Sequence, residues 1–596
     1  MRNYTIVKHY ACLIFALGIA VITQAENAVY QDVNYIIDAD TRTAEVAENP
    51  YASGELFIPA DIPVGQETYR VTSIGENAFR GCKSLNAIVL PSSIERVYRS
   101  AFDGTGIVLN RDYWRDGALY IDSCLIAVDK TIKPKFVVQE GTRVIAAGAF
   151  QGNKVVTRVD LPASVRRIDY DTFRDCKNLM RVTIPQTISE IGEDAFVNSG
   201  IWNEEQKWRR GALFIDGCLI SVSNQASPNF VFKTKVPTRL IASGAFANNQ
   251  TIKSVVLPEG ITEIPAAAFY KCINLVRVTI PSSVKRVGNF AFYGCYALQE
   301  AVLPSDLQSI GVGAFYECDQ LEGQTLSSKL TIIPRGCFGF CRSIEFLTLP
   351  EHLCKIDEAA FAGCSSLQDI VLPSTLKEIG KQAFAECVNF TEIAIPVGVS
   401  SLSEGVFSGC THLRKVTLPD GTYAVGDEAF MGCVALENIN IPVSTFRIGK
   451  HAFQNCQQLR KIYLVDHIHL IEEGAFQECK MLEEVALPAN LKVLEKGAFA
   501  QCINLHQIRF NEHLQTIEDG AFYECRQLRE ITLPDSVQTI GEEAFMNCKN
   551  LRKVVLPEGL KKIGASAFKD CESLIVPYYP ASAIVGKNAF KGCKNK

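Results

Sequence analysis

One 23-residue unit returns along most of this chain, and its period limits the fold more than any other feature. A clear copy reads Leu275-Val-Arg-Val-Thr-Ile-Pro281, then Val284, Val287 and Gly288, then Ala291, Phe292 and Cys295. The phenylalanine marks each copy. It falls at Phe246 and every 23 residues thereafter, through Phe269 and Phe292 to Phe568. Earlier marks are Phe79, Phe102, Phe150, Phe173 and Phe196, and the last is Phe590. A fixed period in the twenties predicts a solenoid, because one such unit cannot bury its apolar face alone.

The unit itself predicts how each turn is built. Val278 and Ile280 alternate with Arg277 and Thr279, the period-2 pattern of a half-buried strand. Pro281 has no N–H to donate and ends the strand. Val284 and Val287 turn inward along a second extended piece, and Gly288 is read as permitting a tight turn. Ala291, Phe292 and Cys295 fill the interior. The predicted fold is a repeat solenoid: a right-handed coil of 23-residue turns with short parallel strands, mostly β and irregular, with short helical turns.

Three regions depart from the beat. Residues 1–25 read as a signal peptide: Arg2 and Lys8 are basic, Ala11 to Ile22 is an apolar run, and Thr23-Gln24-Ala25 offers a cleavage point. That run is short for a membrane span, so the mature chain is expected not to cross a bilayer. Residues 26–70 read as an N-terminal β cap, with a hairpin across Asp38–Arg42. The solenoid is expected over 71–596, with β-hairpin inserts near 106–140 and 200–236. The two inserts resemble each other, from Trp114 to Ile126 and from Trp208 to Ile220. Trp114 and Trp208 are read as pinning the hairpins, whereas Trp202 has no sequence twin and is a candidate contact residue. The sequence ends just past Phe590, so the last turn is expected to be uncapped.

The chain has 22 cysteines, 17 of them three residues after a marking phenylalanine. Stacked turns bring such residues about 4.8 Å apart with parallel side chains, and a disulfide needs converging Cβ atoms nearer ~3.8 Å. A ladder of buried, unpaired thiols acting as small apolar filler is therefore expected. Thr105, Asn153, Ser199 and Asn249 take the same slot in early turns.

Composition and motifs narrow the function. Net charge is −5, and −7 without Arg2 and Lys8, which gives no electrostatic footprint for nucleic acid. No catalytic or nucleotide-binding motif is present, so no catalytic, cofactor-binding or metal residue is assigned. His467 and His469 flank Ile468 and read as an exposed pair. The outward strand columns are more informative. One runs through Arg277, Glu300, Phe346, Glu392, Lys415, Lys461 and Glu484; its neighbour runs through Thr279, Val302, Val371, Tyr463 and Arg509. This surface is long and mixed in charge, with no aromatic row for stacking sugars or bases. It suits an extended protein partner better than a small-molecule substrate. Phe346, Lys415, Lys461, Tyr463 and Arg509 join Trp202 as candidate protein-binding residues.

The unit L-x-x-V-x-I/L-P-x-x-V-x-x-I-G-x-x-A-F-x-x-C resembles the BspA-like leucine-rich repeat of surface proteins, from about Val71 to Cys593. The resemblance implies a non-catalytic, secreted or cell-surface protein that binds host-matrix or cell-surface proteins. A periplasmic location and a structural protein assembling end to end through its last turn are the alternatives.

Overall fold

The computed structural model describes residues 26–39, 41–234 and 236–594. The expected signal peptide lies outside them. The described residues form two compact units. The first runs to Ser223 and includes Thr234–Ala245; the second comprises Asn224–Lys233 and everything from Phe246 onward.

In the second unit the 23-residue beat becomes one turn of a coil. Most turns lay strands into two parallel ladders whose register advances by 23 residues; the first ladder is interrupted at residues 301–303, 370–372 and 462–464, where no strand forms. Arg277–Thr279 pairs with Ser254–Val256 in the first ladder, with Val255 opposite Val278. Arg286–Val287 pairs with Glu263–Ile264 in the second. A third row of hydrogen bonds joins the corners that hold the phenylalanines: Phe290, Phe292 and Gly294 N–H donate to Val312, Ala314 and Tyr316 carbonyls at 2.7–2.9 Å. Inward residues of all three rows are buried, and outward ones alternate with them. The coil is thus a β-solenoid.

The phenylalanine rings form the core of the second unit. From Phe246 to Phe590 each ring stacks on the next at 4.6–5.8 Å between centroids. Planes stay nearly parallel, within 17° even at Phe246–Phe269. Each ladder thiol beside this stack is unpaired and donates to the carbonyl of the previous turn's phenylalanine. Cys272 reaches Phe246 O at 2.9 Å, and Cys433 reaches Phe407 O at 3.1 Å. Cysteine is therefore more than apolar filler. It is a small residue that also supplies a donor to a buried carbonyl, and such groups are costly to leave unpaired.

Gly288 does not act as the sequence reading proposed. Its φ is not positive; instead a Cβ there would lie 2.5 Å from Ala266 N in the preceding turn. Close approach of two backbones selects glycine at this position. The left-handed positions lie two residues before and two residues after each phenylalanine, and they hold bulky residues as well, including Phe290 (φ 55°) and Phe340 (φ 58°).

The first unit opens with a sheet in which Val33–Asp38 pairs antiparallel with Glu26–Tyr30 and Thr43–Val46. Thr43–Val46 then runs parallel to Glu67–Ile74, whose end pairs with Arg96–Val97 and so starts the second ladder. Each insert begins with a short helix, Gly106–Leu109 or Gly200–Asn203. A three-stranded antiparallel piece follows, Trp114–Arg115, Ala118–Ile121 and Cys124–Val128 in the first case. Its last strand takes a place in the second ladder, pairing parallel with Val144–Ile145. Trp114 Nε1 donates to Val108 O at 3.0 Å, and Trp208 Nε1 to Trp202 O at 2.7 Å. Trp202 therefore does have a structural twin, Val108. After the first insert no earlier phenylalanine among the described residues stacks face to face on Phe150. Phe136, in the inward slot that pairs with Val159, packs edge-on against Phe150 at 5.9 Å instead.

Candidate protein-binding face

The first ladder of the second unit fixes the candidate face. Pairing between identical positions of successive turns forces every outward side chain into a column. In the column that follows the buried apolar residue (Val255, Ala301, Ile370 or Ile462), large apolar side chains recur in the open. Val302 is 76% exposed, Val371 86% and Tyr463 79%. Val256 and Val555 belong to the same column and are also exposed. The neighbouring column is charged and partly self-neutralised across turns. Arg277 pairs with Glu300 at 2.5 Å and Lys415 with Glu392 at 3.3 Å. Exposed pairs of this kind add little stability, but they remove isolated charges from beside the apolar column.

Five of the sequence-derived residues lie on this face. Phe346 is 61% exposed, and its ring lies flat over Gly323 of the preceding turn, where a Cβ would come within 2.5 Å of it. Lys415 is held by Glu392. Lys461, Tyr463 and Arg509 are exposed, and Lys461 forms a backbone bridge to Glu484. Tyr463 and Arg509 share a column two turns apart, roughly 10 Å, while Phe346 lies five turns from Lys461, roughly 24 Å. They form a line along the ladder and not a cluster. Trp202 belongs to the first unit. It is half-buried, with its ring edge-on to Trp208 at 5.1 Å.

Aromatic rows exist, but off this face. Tyr270, Tyr293 and Tyr316 stack along the corner ladder at 5.1–5.4 Å. Tyr423, Phe446 and His469 stack beside the second ladder at 5.5 and 4.7 Å. Sequence columns drawn only along the first strand missed both. His467 and His469 are exposed around buried Ile468, and His469 Nδ1 lies 2.8 Å from His467 O. Among the described residues no group of three or more His, Cys, Asp or Glu side chains is placed to hold a metal ion. Nor is any helix among them long and apolar enough to cross a membrane.

The family of BspA type leucine rich repeat regions matches residues 66–111, 133–205, 239–366, 331–460 and 469–596. The chain belongs to that family. BspA-type repeats thus account for both ladders and for the corner that carries the phenylalanine. Among solved structures, the chain is similar to a leucine rich cell surface protein of Faecalibacterium prausnitzii, at 19% identity over 89% of this chain and 94% of that one, with a TM-score of 0.31. A leucine-rich repeat protein of Bacteroides ovatus matches at 19% identity over 94% and 98% of the two chains, TM-score 0.25. One of Eubacterium ventriosum matches at 22% over 65% and 94%, TM-score 0.35. A comparison with curated proteins finds no match.

Proposed function

We propose that this BspA-type repeat protein is an exported, non-catalytic binding protein that holds an extended stretch of a host-matrix or cell-surface protein along its first ladder. The exposed column through Val302, Val371 and Tyr463, which share one position of the 23-residue repeat, carries this reading. These apolar side chains, three and four turns apart with Thr, Ala and Asn between them, offer an extended partner a spaced line of contacts, flanked by paired charges that cost little to approach. A large aromatic such as Phe346 or Tyr463 supplies contact area with few rotatable bonds, the property that makes such residues binding anchors. Export is supported by the basic start, the apolar run and the lack of acidic residues in positions 1–25.

The test is binding of purified matrix and cell-surface proteins to the immobilised chain, with the double variant Phe346→Ala, Tyr463→Ala beside it. Saturable binding that weakens by about tenfold or more in the variant supports the face. Equal binding by both proteins removes it.

A further inference from the structure

The corner ladder of the second unit carries a groove apart from the binding face. At three of the left-handed positions two residues before a phenylalanine, a side chain reaches over the same position of the following turn. The Phe290 ring lies on Gly313, where a Cβ would be 2.8 Å from it. Gln382 lies on Gly405 at 3.0 Å, and the His451 ring lies against Gly474. At Gly497 and Gly520 this cover is missing, because the preceding residues in the column, Gly474 and Gly497, have no side chain. A Cβ on Gly497 would meet only Ala500 at 3.9 Å, and one on Gly520 only Tyr523 at 3.8 Å.

The result is a groove of about 480 Å³ along three turns, with His451 at one end and Glu543 at the other. Its walls carry Glu473, Asp519 and Glu542 against the single cation Lys496, with Tyr523 alongside. At the His451 end, Nδ1 is buried and has no hydrogen-bond partner. The lining residues carry the carboxylates of Glu473, Asp519, Glu542 and Glu543 and the ammonium of Lys496. Burial, followed by the neighbouring carboxylates of Glu518, Glu472 and Glu473, raises the Glu495 carboxyl above its ordinary value, with Lys450 opposing.

We propose that this groove binds a guanidinium group, presented as an arginine side chain on a polypeptide partner. Two independent features select that chemistry. Two of the covers used elsewhere in the column are flat rings, a phenyl and an imidazole, while Gln382 covers Gly405 with its Cγ. The uncovered glycines therefore have the shape for a flat group lying on backbone. The walls call for a cation, and guanidinium is the flat cation whose donors fit paired carboxylates and whose face stacks on an aromatic ring such as Tyr523. Free arginine would bring an α-carboxylate among Glu473, Glu542 and Glu543, whereas an arginine in a peptide chain has none. The choice of a polypeptide source rests on the protein-binding reading above; the guanidinium chemistry does not.

The experiment is a titration of the full chain with the capped tripeptide acetyl-Gly-Arg-Gly-amide, followed by ligand-observed NMR. The same tripeptide with citrulline, which is flat but neutral, or with lysine is run beside it, together with free arginine. Two variants probe the groove. Asp519→Asn with Glu542→Gln removes charge at the surface. Gly497→Gln fills the groove as Gln382 covers Gly405, at a position where this chain already accepts glutamine with positive φ. Thermal melts check that both remain folded. The expected result is saturable binding of the arginine tripeptide, weakened about tenfold or more in each variant and by citrulline or lysine. Equal binding of the citrulline peptide, or unchanged binding in both variants, overturns the proposal. Tighter binding of free arginine than of the tripeptide overturns its polypeptide source. The Phe346→Ala, Tyr463→Ala protein should bind the tripeptide as wild type does. Tripeptide binding without any partner protein therefore sinks the face alone, and the reverse sinks the groove alone.

Discussion

At the scale of single residues, the repeated cysteine shows how much one atom contributes. Its Sγ fills a methyl-sized space beside the phenylalanine stack and donates to a buried carbonyl, as Cys433 does to Phe407 O at 3.1 Å. Cys433→Ala should lower unfolding free energy by about 1–2 kcal/mol in a denaturant melt, from the orphaned carbonyl and the small void together. No loss of stability would return the thiol to the role of filler. The ladder also makes the fold sensitive to alkali. Burial pushes the Cys272, Cys364 and Cys479 thiols up to about 12, from an ordinary value near 9. A group whose folded value is raised binds its proton more tightly when folded. Its stabilisation is therefore complete below pH 9 and is lost as pH climbs from 9 through about 12. Melting temperature should fall across that window, and thiol reagents should begin to label the ladder. At pH 7 most thiols should react only after denaturation, with half-exposed Cys354 and Cys593 reacting first.

At the scale of elements, the strands were legible in the sequence and the corners were not. Alternation around Val278 and the stop at Pro281 are local signals, so the first strand of most turns could be placed from residue type alone, but not in the turns of Val302, Val371 and Tyr463, where no strand forms. Two kinds of glycine looked alike on paper. Gly288 is required because Ala266 N lies 2.5 Å from where its Cβ would be, and that neighbour is supplied by another turn. Contacts between turns have no local signature. The same reason hid the hydrogen bond of the thiols, the rings of Phe290 and Phe340 over glycines of the next turn, and the kinship of Trp202 with Val108. The binding columns were half legible: their membership follows from the period, but the pairing of Lys415 with Glu392 needed coordinates. A direct comparison tests the glycine argument. Gly380→Ala places a methyl 2.5 Å from Glu358 N, whereas Gly421→Ala meets nothing within 4 Å. The first should cost about 2–4 kcal/mol and the second less than about 0.5 kcal/mol in the same melt. Similar losses at the two sites would remove close approach as the reason for glycine.

At the scale of the whole molecule, a repeat coil has no central core, and each turn is held by the turns beside it. The phenylalanine stack of the second unit makes this measurable. Phe430 is fully buried between Phe407 at 5.8 Å and Phe453 at 5.3 Å. Phe590 is half-buried and stacks on Phe568 at 5.4 Å and Tyr579 at 5.7 Å. Phe430→Ala should cost about 3–5 kcal/mol, because it removes a buried ring from both neighbours and leaves a cavity the rigid ladders cannot close. Phe590→Ala should cost less, since its ring is already partly in water. Hydrogen exchange separates the two outcomes in space. With Phe430→Ala, amides of the corner ladder should lose protection on both sides, around Phe407 and Phe453, and less with each turn away. With Phe590→Ala, the loss should stay near Phe568. Protection that collapsed uniformly over the unit in both variants would mean that it unfolds as one block. The nearest-neighbour account of its stability would then fail, although the coil itself would stand.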